Sequence, residues 1–266
     1  MTREAEIAES NYHFREAWQL FARVSPKGAT FDHDGLSFAN ANHPWFFMNL
    51  GILNSPIAND SDLERRASEA VKYFAASNNP WLFTASQGWL GPNASSVLSK
   101  FGLVHKLDLT GMVAERLRPP ARAFPQNVQL RRIIDEETRT ALADLNADAY
   151  GVPREWARRV VGPAVLWESP LFGTLAHVEG EPVSAAFAMP MDKALYVAWV
   201  ATSKAHRRLG LAELVIRASL EDARKATGIE RTILHATKDG FTVYLRMGFR
   251  SVAKFPSYGS SEKDDR

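Results

Sequence analysis

Cysteine is absent from the 266 residues. That absence excludes a disulfide scaffold, a cysteine-ligated zinc and a thiol nucleophile. A charge excess is missing as well: 32 Lys and Arg stand against 30 Asp and Glu, for a formal net charge of +2. Nothing in that balance asks for nucleic acid or an anionic lipid surface. No run of 18 apolar residues occurs, and the start, MTREAEIAES, lacks the apolar stretch of a secretory signal. Neither a membrane partner nor export is therefore expected, and the expected compartment is the cytoplasm.

What is present suits a folded chain. Hydrophobic residues make up 45% and charged residues 23%, with seven Trp and fifteen Phe, enough to build a core. The length is comfortable for two domains. Near the middle, ERLRPPARAFPQN (115–127) is rich in proline and arginine and lacks hydrophobic periodicity, as an interdomain linker does. The expected division is 1–118, a linker over 119–127, and 128–266.

In the first half, helices are expected from Tyr12 to Val24 and over SDLERRASEAVKYFAAS, the latter with Ser61 as N-cap and Glu64 completing a capping box. Strands broken by an Asp-Gly turn lie between them. A further strand, a helix ending at Gly102 and a strand follow. In the second half, VQLRRI is a strand, Glu136 to Tyr150 and Arg154 to Val161 are helices, and a hairpin turns around Glu179 to Glu181. Then come strand ALYVAWV, a helix from Leu211 to Thr227 closed by Gly228, strand RTILHA, a short helix over FTVYLRM, and a last strand. Mixed strands and crossover helices predict an α/β (α+β) fold with a mixed sheet. Both halves end on strand, short helix and strand, with KFGL in one matching LRMGF in the other, the sign of an internal duplication.

The stretch TSKAHRRLGLAELV (Thr202 to Val215) carries the chemistry. Lys204, His206, Arg207 and Arg208 precede Gly210, and an apolar stripe of Leu211, Leu214, Val215 and Ala218 begins at once. A helix start offers backbone N–H groups without intrahelical partners and a partial positive charge, so an anion is its natural ligand. A nucleotide-hydrolase loop needs G-x-x-x-x-G-K-[ST] and a dinucleotide fingerprint needs G-x-G-x-x-G; with Gly210 alone, the loop is neither. His33, Asp34 and His43 might suggest a metal, but FDHDGL is explained by a hairpin turn and lacks ligand spacing, so no metal is expected.

The pattern Arg207-x-x-Gly210-x-Ala212 between a strand and a helix resembles the Q/R-x-x-G-x-G/A pyrophosphate motif of the Gcn5-related N-acetyltransferase (GNAT) superfamily. The resemblance extends through YVAWVATSKAHRRLGLAELVIRAS and ILHATKDGFTVYLRMGF to Tyr244, Gly248 and Phe249, covering residues 128–255 in order. It implies acetyl-coenzyme A, or another acyl-coenzyme A, as co-substrate. Its phosphates would lie over Arg207, Arg208, Leu209, Gly210, Leu211 and Ala212, with Val200, Thr202, Thr237, Gly240 and Tyr244 completing the contacts. A backbone N–H near Val200 would polarise the thioester carbonyl, and Tyr244 would protonate the departing thiolate. Direct attack by an amine needs no enzyme nucleophile, in keeping with a chain that has no cysteine.

Where the family often carries Asn, this chain has Thr237. For a general base, location alone offers Glu168 and Asp148. Tyr150, Trp156 and Trp167 cluster on what the family makes the acceptor side, and aromatics there can line a pocket. In the first half, LGILNSPIANDSDLERR falls where a phosphate loop would lie and has no R-x-x-G-x-A, which implies a degenerate GNAT-like domain. The expected function is acetyl transfer to an amine, on a small molecule or a protein, with a homodimer admitted. The rivals are a non-catalytic acyl-coenzyme A binding module and a tRNA-dependent aminoacyl transferase; even charge and the lack of a basic track argue against the second.

Overall fold

A computed structural model describes residues 1–260. In chain order the elements are α1 (Arg3–Val24), β1 (Ala29–His33), β2 (Leu36–Asn40), β3 (Asn49–Leu53), α2 (Asp60–Phe74), β4 (Leu82–Thr84), α3 (Ala94–Ser99) and β5 (Leu103–Ala114), then β6 (Val128–Arg132), α4 (Glu136–Tyr150), α5 (Arg154–Val161), β7 (Phe172–Val178), β8 (Glu181–Met191), β9 (Ala194–Thr202), α6 (Leu211–Thr227), β10 (Thr232–Ala236), α7 (Lys238–Met247) and β11 (Arg250–Ser260). The described residues form two compact units, one of Met1–Gly111 together with 252–260, the other of Met112–Ser251.

These units differ from the expected division at 118 and 128. The last strand is the reason: β11 pairs antiparallel with β4, Ser257 opposite Thr84 and Tyr258 opposite Phe83. The buried Thr84 and Ser257 hydroxyls lie 2.9 Å apart, and Phe255 and Tyr258 enter the first unit's core. The proline-rich segment falls within the second unit.

In the first unit the strands run β1-β2-β3-β4-β11-β5, with β1 to β3 an antiparallel meander and β3 parallel to β4. Phe14 of α1 packs with Leu50, Ile52 and Leu82, and Leu63, Ala67, Ala70 and Phe74 of α2 form a separate cluster with Phe38 and Phe83. The spacing in α2 is the amphipathic stripe that buries one face. Its cap departs from expectation. Ser61 lies inside the helix, and Asn59 is the N-cap, its side chain accepting from the Asp62 amide at 3.0 Å. Glu64 instead accepts from Lys100. Helix α1 also starts nine residues earlier than Tyr12, at Arg3, capped by the Thr2 side chain.

In the second unit the order is β10-β9-β8-β7-β6. Strands β6 to β9 are antiparallel neighbours, and β9 runs parallel to β10. Helices α4, α5 and α6 have the expected bounds. A reciprocal capping box of Asp135 and Thr138 opens α4, and Gly228 in the left-handed region (φ 72°) ends α6. The α6 stripe of Leu211, Val215, Ile216, Leu220 and Ala223 packs on Ala186, Ala188, Leu195 and Val197. Burying that stripe fixes where the helix begins, and so where its free amides point.

Candidate active site

Strands β9 and β10 pair over three rungs only, Leu195 to Val197 with Thr232 to Leu234. Beyond them β9 continues to Thr202 and β10 to Ala236, so the strands part and leave backbone facing a gap. At the same level β9 is bulged. Its register against β8 jumps from Ala198 opposite Phe187 to Ala201 opposite Ala185, and Trp199 takes a left-handed φ of 55°. Such a bulge re-aims the strand's groups and releases a residue from the ladder. The amide side chain of Asn146, fully buried in α4, donates to the Trp199 carbonyl at 3.1 Å and to Leu142 at 2.9 Å. Val200 follows directly, half-buried.

Past the bulge the chain turns through Lys204–His206 into α6. The Thr202 hydroxyl lies 2.8 Å from that of Ser184, and Ser203 Oγ lies 2.9 Å from His206 Nδ1, which holds the turn shut. Arg207, Arg208 and Leu209 are exposed, and Leu211 is buried. Arg208 and Gly210 both have left-handed φ, 67° and 86°. Gly210 is the N-cap, and no side chain caps the helix. Backbone amides at this start are therefore offered to an external acceptor, with the helix dipole behind them.

On the other side of the gap, Thr237 begins α7 without a side-chain cap bond. The Tyr244 ring lies against Gly240; a Cβ there would come within 2.8 Å of it. Glycine at this position is what lets the ring lie flat on the helix. Tyr244 is 8% exposed and packs edge-on against Phe249. Burial raises its pKa well above that of an ordinary tyrosine, with Tyr150 adding to the effect. Burial also raises Tyr196, with Tyr244 and Tyr150 contributing, and Tyr150, with Asp239 contributing. The electrostatic influence of these hydroxyls on one another puts them in one neighbourhood. Tyr196 Oη lies 3.0 Å from His235 Nδ1, and His235 stands on β10 just beyond the last paired rung.

The remaining expected residues are placed less centrally. Tyr150, at the C-terminus of α4, leaves 46% of its surface open while its hydroxyl lies in crowded surroundings. Trp156 is half-buried on α5. Trp167 donates from Nε1 to the Val161 carbonyl at 2.7 Å and packs edge-on against Phe187, so it anchors the end of α5. Glu168 is exposed. Asp148 is held by Arg154 through two hydrogen bonds of 3.0 and 2.8 Å, and that guanidinium lowers its pKa, which makes it a poor base. Among the described residues no cluster of His, Asp and Glu side chains is arranged as a metal site, and no helix is long and apolar enough to cross a membrane.

Asn146, Tyr196 and His235 escape a reading of the sequence. Asn146 leaves a trace, a polar residue between Leu142 and Ala147 on the buried stripe of a helix. Tyr196 and His235 leave none, because their pairing depends on strand register.

A mixed sheet whose parallel strands part beside an uncapped helix start is the layout of an acyl-coenzyme A N-acyltransferase. Residues 130–249 match the acetyltransferase (GNAT) family. A GCN5-related N-acetyltransferase from Kribbella flavida superposes with a TM-score of 0.72 at 19% identity, over 94% of this chain and 95% of that one. A tandem GNAT protein from the clavulanic acid biosynthesis pathway gives 0.55 at 13%, over 97% and 96%. A functionally unknown conserved protein from Staphylococcus epidermidis gives 0.65 at 13%, over 91% and 97%. No curated protein matches the chain. The acetyltransferase (GNAT) match thus spans residues 130–249, and over its whole length the chain has the fold of the tandem GNAT proteins on which it superposes.

Proposed function

We propose that this protein transfers an acetyl group from acetyl-coenzyme A to a primary amine by direct attack. The parting of β9 and β10 after Val197 and Leu234 carries the proposal. It sets the bulged backbone, the uncapped start of α6 and the buried Tyr244 around one gap. The residues suit the acyl donor: no side chain caps the start of α6, and the left-handed Gly210 keeps a side chain off its first amides. When bound, the donor supplies an acetyl group activated as a thioester.

The chain's own groups do the rest. The amides from Arg207 to Ala212 hold phosphate, and Thr202, Thr237 and Gly240 line the path between that cradle and Tyr244. The Val200 N–H stabilises negative charge as it develops on the acetyl oxygen, from a bulge that Asn146 already fixes, so little reorganisation is needed. Tyr244 keeps its proton across the neutral range, because burial disfavours the phenolate, and gives it to the leaving sulfur. Tyr150 and Trp156, with Trp167 behind them, border the acceptor. For the proton the amine loses, Glu168 is the carboxylate that location offers, and the Tyr196–His235 pair is the acceptor that geometry offers. Variants Glu168→Gln and His235→Ala separate the two by the acidic limb of the rate profile.

The whole reading is tested by the thermal shift of the purified chain against a series of acyl-coenzyme A species. Amine acceptors are then screened with thiol release as the signal. A shift with acetyl-coenzyme A followed by amine-dependent thiol release is expected. A shift with no thiol release from any amine would instead make the protein an acyl-coenzyme A binding module.

A further inference from the structure

The proline-rich segment expected to be a linker is a strap bolted across the start of α6. Glu115 pairs with Arg231. The Arg118 N–H donates to the Met247 carbonyl at 2.8 Å, and the Arg118 carbonyl accepts from Arg217 Nη2 at 2.6 Å. Farther along, Arg122 Nη2 donates to the Arg208 carbonyl at 2.6 Å. A Cβ on Gly210 would lie 3.6 Å from Arg122 Nη2, 3.7 Å from its Nε and 3.7 Å from Phe124 Cδ1. The strap thus sets a guanidinium directly over the residue that opens the helix.

Several arginines of the same unit, Arg131, Arg132, Arg154, Arg158 and Arg224, each hold a carboxylate. Among the described residues Arg122, Arg207 and Arg208 hold none, and all three gather where α6 begins. The nearest acid on that first turn, Glu213, is taken by Arg217 at 2.7 Å. Cations left unneutralised around free amides are suited to an anion that the chain itself does not supply. A guanidinium has five N–H donors in a planar fork. Arg122 spends one on the Arg208 carbonyl, which aims the fork and leaves the others for phosphate oxygens.

We propose that Arg122 is a ligand of the acyl donor's pyrophosphate, delivered from the proline-rich strap of the second unit, so that the segment completes the cofactor site. The inference rests on the acetyl-coenzyme A reading above. Removing Arg122 should weaken the hold on phosphate and leave the pantetheine arm untouched.

The experiment measures the affinities of acetyl-coenzyme A, 3′-dephospho-coenzyme A and pantetheine for the wild type, Arg122→Ala, Arg122→Gln and Arg122→Lys, with melting temperatures as a check on folding. Losing one charge-assisted phosphate contact should weaken the first two ligands by about 5- to 30-fold in Arg122→Ala. Pantetheine should bind all four proteins alike, and the variant's acetyl-coenzyme A affinity should depend less on salt. Arg122→Gln keeps a donor for the Arg208 carbonyl without the charge and should lose as much as Arg122→Ala, whereas Arg122→Lys should fall between. Glutamine binding like the wild type would reduce Arg122 to a brace for the loop and overturn the proposal. Unchanged or tighter binding by Arg122→Ala would overturn it too, as would a loss confined to acetyl-coenzyme A with 3′-dephospho-coenzyme A unaffected. If the wild type binds no coenzyme A species, the acetyl-donor reading falls first and this inference with it.

Discussion

Both halves of the sequence run three antiparallel strands, a helix, a parallel strand, a short helix and a strand: β1-β2-β3-α2-β4-α3-β5 in one and β7-β8-β9-α6-β10-α7-β11 in the other, although β11 packs in the first unit. Their strand-to-helix junctions differ. In the first unit β3 ends one residue past its last parallel rung. The start of α2 is then filled from within: Asn59 accepts from the Asp62 amide, Asp62 accepts from the Ala58 amide, and Asp60 accepts from Asn93. The buried Arg66 is held by Asp62 and by the carbonyls of Gly35, Ser55 and Pro56. In the second unit β9 runs on through a bulge, the helix start carries no cap, and cations surround it. A phosphate arriving at α2 would meet Asp60 and Asp62, and one arriving at α6 would meet amides and arginines. The same fold is closed in one copy by carboxylates and left open in the other, so what marks a binding site is which groups are left unsatisfied.

The sharpest test concerns the proposed proton donor. Four residues before the left-handed glycine that follows the short helix stands Tyr244 in the second unit and the fully buried Leu98 in the first. Tyr244→Phe keeps the ring on Gly240 and removes the proton, and kcat should fall by roughly 10²- to 10³-fold, with the affinity for acetyl-coenzyme A nearly unchanged. Steady-state rates beside calorimetric affinities decide it; an unchanged kcat and pH profile would make Tyr244 a packing residue.

Opening the closed junction should cost stability instead. Asp62→Ala leaves the Arg66 guanidinium buried without its carboxylate, at about 3 kcal/mol, read from denaturant midpoints. Acetyl-coenzyme A affinity should not move, because α2 lies outside the proposed site. Closing the open junction is the converse. Ala212→Asp places on the first turn of α6 the kind of carboxylate that α2 carries, and acetyl-coenzyme A should bind about 10- to 100-fold more weakly through like-charge repulsion. The melting temperature should hold or rise slightly, since an acid near a helix N-terminus is favourable. Weakened binding with intact stability would show that the two junctions differ by their charges rather than by their backbone.

Much of this contrast was legible in the sequence, and the limits have physical causes. Local patterns carried α4, α5 and α6 to their bounds, because caps and periodicity are written within a few residues of one another. Gly210 and the arginines before it marked the open junction, and the missing glycine marked the closed one. What was lost depends on distant partners. The place of β11 beside β4 follows from pairing across more than 170 positions. The Asn59 cap lost to Ser61 because both residues can cap and only the course of the incoming chain chooses between them. The strap looked like a linker because its ties are one ion pair and single hydrogen bonds to carbonyls, which impose no periodicity. His235 and Tyr196 meet only because β9 and β10 stand in one register.

The smallest effect expected is a pH dependence confined to the closed junction. The Arg66 guanidinium, with backbone and Arg65 donors helping against burial, holds the Asp62 carboxyl at about 2, below its ordinary 3.8. A carboxyl whose pKa is depressed by folding binds protons more readily when unfolded, so its contribution is full above pH ~4 and is lost as the pH falls toward ~2. With allowance for solvent screening of this partly open group, the contribution is on the order of 1 kcal/mol. Hydrogen exchange of the α2 amides, followed from pH 5 to pH 2 in the wild type and in Asp62→Asn, isolates it. The wild-type advantage in protection should shrink across that window, while protection of α6 should be the same in the two proteins at every pH. An advantage that persisted undiminished at pH 2 would mean that hydrogen bonding by an uncharged side chain, and not the carboxylate's charge, keeps the first junction closed.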